Sequence, residues 1–173
     1  MPTQVALLRG INVGGRNSVP MAALRGVFES LGHTEVSTFI QSGNVIFTAA
    51  TPVTAKSLET AIDAHFSIAI SVVLRTPAEL ANVVAANPFP TAGPSRLHVG
   101  FMAEKPPAAS VKQLDTDRFA PEEFAVHGRE IYLHLPSGMG RAKLPAYLDR
   151  QLAIPTTVRN WNTVNKLVEL SRT

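Results

Sequence analysis

Cysteine is absent from the chain, which excludes a disulfide framework, a thiolate metal site and a cysteine nucleophile, since each needs sulfur. Aromatic residues are sparse, at 6%, and a surface that stacks bases has little to draw on. Charged residues make up only 17%, too few for a chain held open by its own charge. No apolar run reaches the roughly 18 residues a membrane-spanning helix needs. Met1 to Gly10 carries neither the basic lead nor the cleavage pattern of an export signal. A cytoplasmic setting, away from the membrane, is the expectation.

What is present is a core-forming composition, with 45% hydrophobic residues in a 173-residue chain, enough for one domain or two small ones. The net charge of +3 is too mild to imply a nucleic-acid partner by itself. Its distribution is uneven. Met1 to Phe28 holds Arg9, Arg16 and Arg25 with no acid, and Ile131 to Val168 holds Arg141, Lys143, Arg150, Arg159 and Lys166 against Asp149 alone. Such zones are either solvated surface or faces that meet an anion.

The hydrophobic pattern predicts a strand over 4–9, then a helix in which Leu24, Val27, Phe28 and Leu31 recur at helical spacing, with Ser18 as N-cap and Gly32 as its stop. Strands over 35–40 and 44–48 are joined by a tight turn at Gly43-Asn44. Leu58, Ile62 and Phe66 mark a second helix, 70–75 a fourth strand, and 76–86 a further helix. The order βαββαβ is that of the ferredoxin-like fold, or α/β plait, whose crossovers put both helices on one sheet face. Strand one is apolar on both faces, so each sheet should also pack against something on its second face.

The segment NPFPTAGPS, 87–95, has the look of a semi-rigid linker. Beyond it the order repeats: a strand over 96–102, a short helix over 109–114, a hairpin of 123–126 and 130–135, a helix over 143–152, a strand over 156–159 and a closing helix over 160–170. Leu58, Ile62, Phe66 and Ile68 have the spacing of Leu144, Leu148, Leu152 and Ile154, and residues 43–47 and 73–76 have counterparts in 128–132 and 157–160. The fold class is therefore α+β, two ferredoxin-like repeats each followed by an extra helix. The expected division is 1–87, a proline-rich linker 88–95, and 96–173.

The loop GINVGGRNS is the most unusual segment. Its glycines let backbone N–H groups face an anion at a helix start, although it matches neither a P-loop nor a dinucleotide fingerprint. Alternating strand directions bring this loop and the turn Gln41-Ser42-Gly43-Asn44 to one sheet edge. Arg9, Asn12, Gly14, Gly15, Arg16, Asn17, Gln41, Ser42 and Asn44 are thus the candidate ligand-binding residues. In the competing reading, the glycines only permit positive φ and the asparagines satisfy turn backbone. A second candidate anion site combines Arg159, Asn160, Asn162 and Lys166 at the start of the last helix, where capping by Asn160 and burial of Trp161, Val164 and Val168 explain the same residues.

Other chemistry finds little support. Ser42 lacks a nucleophile elbow and a histidine–acid pair nearby. The five histidines show no metal-ligand spacing, so no metal or cofactor is expected and no catalytic residue is assigned. An RNA-recognition surface fails because strand one has no aromatic and strand three only Phe47.

The motifs LLRGINVGG (7–15), IQSGNV (40–45) and RNWNTV (159–164) together resemble the bacterial domain-of-unknown-function family 1697 over nearly the whole chain. The resemblance implies two ferredoxin-like subdomains and a cytoplasmic protein, and it implies no activity. The leading functional expectation is binding of a phosphate-bearing ligand, nucleotide or nucleic acid, at the glycine-rich loop. A small-molecule transferase or hydrolase using the same groups to stabilise an anion is the enzymatic alternative, and a structural or interaction protein is the third.

Overall fold

The computed structural model describes residues 2–12, 15, 17–40 and 43–172. Two compact units divide the chain, Met1–Ala81 with Leu167–Thr173, and Asn82–Lys166. The proline-rich residues 88–95 thus fall in the second unit and the end of the last helix in the first.

The first unit runs β1 (Thr3–Leu8), α1 (Met21–Ser30), β2 (Thr34–Phe39), β3 (Asn44–Thr48), α2 (Ala55–Phe66) and β4 (Val72–Arg75), followed by α3 (Pro77–Ala85). Its strands form an antiparallel sheet in the order β2-β3-β1-β4, the ferredoxin-like arrangement. Ala6, Leu8, Val45, Phe47 and Val72 lie beneath Leu24, Val27 and Phe28 of α1 and Leu58 and Ile62 of α2, with the Phe28 and Phe47 rings edge to face at 5.0 Å. Each of these buried side chains larger than alanine contributes about 1.5–3 kcal/mol through removal from water. Val5, Leu7 and Val73, which alternate with these, are at most 1% exposed, so the second sheet face is covered as strand one requires.

The second unit repeats the plan with β5 (Leu97–Met102), α4 (Ala108–Lys112), β6 (Glu123–His127), β7 (Glu130–His134), α5 (Leu144–Leu152) and β8 (Thr156–Asn160), then α6 (Trp161–Ser171). Its sheet order is β6-β7-β5-β8. Val5 lies between Ile46 and Arg75 just as Val99 lies between Tyr132 and Arg159. This pairing makes Ile46, and not Phe47, the counterpart of Tyr132, so the repeat slips by one residue at the hairpin. The cause is loop length: Phe39 pairs with Asn44 across four intervening residues, whereas His127 pairs with Glu130 across Gly128-Arg129 alone. The tight turn expected at Gly43-Asn44 is accordingly a longer connection, and Asn44 belongs to the strand.

Helix ends reveal further differences. Ser18 does not cap α1, because Pro20 occupies that position without a side-chain bond, while Gly32 follows the helix at φ +90° as expected of a stop. Leu31, expected on the buried stripe, is the C-cap and 40% exposed. Thr54 and Ser57 form a capping box at α2, and Thr76 and Glu79 exchange the same pair of bonds at α3. Helices α2 and α5 both end on left-handed residues, Ser67 and Ala153, whose N–H groups bond to Asp63 and Asp149 carbonyls. In α6 the buried positions are Thr163, Val164, Leu167, Val168 and Ser171, with Trp161 only half-buried. No helix among the described residues is long and apolar enough to cross a membrane.

Candidate functional site

Three chain segments meet at one end of the first sheet. Where β1 ends, the Leu8 N–H donates to the Gly43 carbonyl at 2.9 Å and the Arg9 N–H to the Ser71 carbonyl at 2.9 Å. Gly43 sits so close to Ile11 and Leu8 that an added Cβ would lie 2.8 Å from Ile11 Cδ1 and 2.8 Å from Leu8 Cβ. Glycine is required there twice over, since φ is also +88°. The loop after β1 and the β2–β3 connection are therefore in contact.

Left-handed backbone concentrates at this end. Gly10, Asn12, Gly15, Asn17, Ile40 and Gly43 all have positive φ. Ile40 is β-branched, so its φ of +51° carries a steric cost that asparagine and glycine escape.

The asparagines use their side chains on the loop itself. Asn12 Nδ2 donates to the Val19 carbonyl at 3.0 Å while its Oδ1 accepts the Val19 N–H at 2.8 Å. Asn17 Nδ2 donates to the Gly10 carbonyl at 2.9 Å, and the Asn12 N–H reaches the Asn17 carbonyl at 3.1 Å. Asn44 is fully buried and donates Nδ2 to the Phe39 carbonyl at 3.0 Å, closing the hairpin from inside. Each bond satisfies a backbone group that no helix or strand can serve in a tight connection. Arg9 and Gly15 are exposed. Gly14, Arg16, Gln41 and Ser42 lie outside the described residues.

The second candidate site has a different character. Arg159 is only 8% exposed. It donates one guanidinium N–H to the Val158 carbonyl at 3.0 Å, and burial pulls its pKa down to about 10. Asn160 Oδ1 accepts the Thr163 N–H at 2.8 Å, the bond of an N-cap. Asn162 is exposed and Lys166 half-buried. Arg75 occupies the position of Arg159 in the first unit, is 1% exposed, and bonds the Leu74 carbonyl at 2.9 Å. The repeat read from the sequence already paired these strand ends, 73–76 with 157–160, but a site was expected at Arg159 alone; the structure buries both arginines alike.

The histidines are dispersed, and among the described residues no group of three or more His, Asp or Glu side chains gathers. His33 is 5% exposed and accepts the Ala50 N–H on Nδ1 at 3.4 Å. His98 is buried with its Nδ1 unpaired, and burial lowers the pKa of both rings. His134 meets Glu123 at 3.2 Å across the β6–β7 pair.

No curated protein matches the chain. A solved structure, that of the conserved bacterial protein SP0830 from Streptococcus pneumoniae, superposes with a TM-score of 0.78 at 23% sequence identity, covering 100% of this chain and 99% of the other. At that identity the likeness establishes a shared fold over the full length. The family model described as protein of unknown function (DUF1697) matches residues 1–132, and the chain belongs to that family.

Proposed function

We propose that the chain binds a phosphate-bearing ligand, a nucleotide or a nucleic acid, where the loop after β1 meets the β2–β3 connection. The observation that carries this reading is the Leu8–Gly43 bond with Gly43 lodged against Ile11, which holds two glycine-containing loops at one sheet end. Arg9 and Arg16 supply positive charge, and loop amides supply donors of the kind that cradle phosphate oxygens. Asn12, Asn17 and Asn44 serve as positioning residues, because their amides hold the loops in shape. A cysteine-free chain fits a cytoplasmic setting but does not require one.

A scaffolding role for the same loop is the second reading, favoured by those asparagine bonds. Titration with nucleotides and short RNA, read by thermal shift and by equilibrium binding at two salt concentrations, separates the two. Ligand binding predicts that Arg16→Ala leaves the melting temperature unchanged and abolishes the ligand-induced stabilisation. A flat response across the panel, together with a large fall in melting temperature for Arg16→Ala, overturns it in favour of scaffolding. If RNA is the ligand, log affinity must fall as log salt rises, because neutralised phosphates release counterions.

A further inference from the structure

A groove of about 270 Å³ opens in the first unit, lined by Thr3, Glu35, Ser37, Ile46, Thr48 and Leu170 among others. Its origin lies in the sequence of the repeat. By strand pairing, Thr3, Ser37, Ile46 and Thr48 stand where the second unit has Leu97, Ala125, Tyr132 and His134. In the second unit that region is filled. The Tyr132 hydroxyl donates to the Val83 carbonyl at 2.6 Å, and the Phe89 ring lies 5.8 Å from the His134 ring. In the first unit the larger Tyr132 and His134 are replaced by Ile46 and Thr48, and an extra residue enters β2 between Thr34 and Ser37. Glu35, in that irregular stretch at φ +50°, lines the groove and accepts the Thr48 hydroxyl on Oε2 at 3.0 Å.

We infer that this groove is a binding site for a small aliphatic amine. Its described lining carries one carboxylate and no basic side chain, so the complementary ligand is a cation. The hydroxyls of Thr3, Ser37 and Thr48 offer acceptor lone pairs to an ammonium group, and Thr48 remains an acceptor while donating to Glu35. Ile46 and Leu170 supply apolar surface for a methylene stem. The volume sits just below the roughly 300–1,000 Å³ of sites for drug-sized molecules, which selects a short amine over a nucleotide. The site shares no residue with the loops of the proposed phosphate site, so either proposal stands or falls without the other.

Titrating the full chain with 1,4-diaminobutane, followed by backbone-amide NMR, tests it. The expected result is saturable shifts centred on residues 3, 35, 37 and 46–48. Glu35→Gln, which keeps an acceptor for Thr48, should weaken binding about tenfold or more through loss of the charge. The paired substitution Ile46→Tyr with Thr48→His, copying the filled unit, should abolish it. Should that pair fail to fold, Ser37→Leu at an exposed edge position obstructs the same groove. Absence of binding, shifts scattered over unrelated carboxylates, equal affinity in Glu35→Gln, or equally tight binding of uncharged 1,4-butanediol overturns the inference.

Discussion

Replacing Gly43 by alanine probes the contact between the two loops directly. Two costs arise, and the structure allows them to be separated. The first is backbone: an L-residue at φ +88° costs about 1–2 kcal/mol in the left-handed region. The second is steric, because the new methyl would sit 2.8 Å from both Ile11 Cδ1 and Leu8 Cβ. Leu8 Cβ is fixed to the backbone of β1 and cannot yield, so the overlap should cost about 1–3 kcal/mol, as overpacking does. Gly15→Ala serves as control, for φ is +76° there but no atom of the described residues lies within 4 Å of the added methyl, leaving only the backbone cost. We expect Gly43→Ala to lose about 3 kcal/mol and Gly15→Ala about 1, which for a chain of this size is about 6–12 °C against 2–4 °C in melting temperature. Urea unfolding followed by circular dichroism gives both free energies. Adding Ile11→Ala to Gly43→Ala removes one of the two clashes, so the double variant should be less destabilised than the sum of the singles. Equal losses at positions 43 and 15, or strict additivity with Ile11→Ala, would refute the view that Gly43 is wedged between the loops.

Two further outcomes are expected. His33 and His98 are held below their ordinary pKa by burial, so the unfolded chain binds more protons than the folded one below pH 6.5. Stability is then fully present above that pH and falls as the pH drops towards the folded values, with a slope of at most about 1.4 kcal/mol per pH unit for each ring. Urea midpoints between pH 7.5 and 5.5 should show the fall, and His98→Leu should reduce its slope; a flat profile contradicts the burial of the two rings. Tyr132→Phe removes a buried hydroxyl that donates to the Val83 carbonyl at 2.6 Å and should cost about 1–2 kcal/mol, since that carbonyl is left without its partner; a loss below about 0.5 kcal/mol would place that carbonyl in contact with water.

Much of the architecture was legible because it follows from period and punctuation. Leu24, Val27 and Phe28, and Leu58 with Ile62, recur at helical spacing and are buried, while Val5 to Leu8 read as a strand covered on both faces and prove to be one. The failures have local causes. The hairpin register slipped because a loop's length depends on which residues take positive φ, and Ile40 is the last residue type one would assign there. Ser18 resembled an N-cap, but the neighbouring Val19 backbone is bonded by Asn12 from seven residues away, a contact that no local pattern announces. The groove beside Glu35 was invisible for a related reason. A strand irregularity breaks the alternation that would reveal which side chains share a face. At the loop site, residue types allowed Asn12, Asn17 and Asn44 to be either ligand donors or partners of turn backbone, and the bonds to the Val19, Gly10 and Phe39 carbonyls are those of the second reading.

The two helices that close on Ser67 and Ala153 offer an opening for engineering. Both residues tolerate a left-handed backbone, at φ +56° and +53°, that glycine would adopt without penalty. Installing glycine at each, one per repeat, is a route to a more heat-resistant protein that leaves the loops and the groove untouched. Because the two positions occur in separate units, their gains should combine independently, making the pair a gauge of whether the repeats melt together or apart.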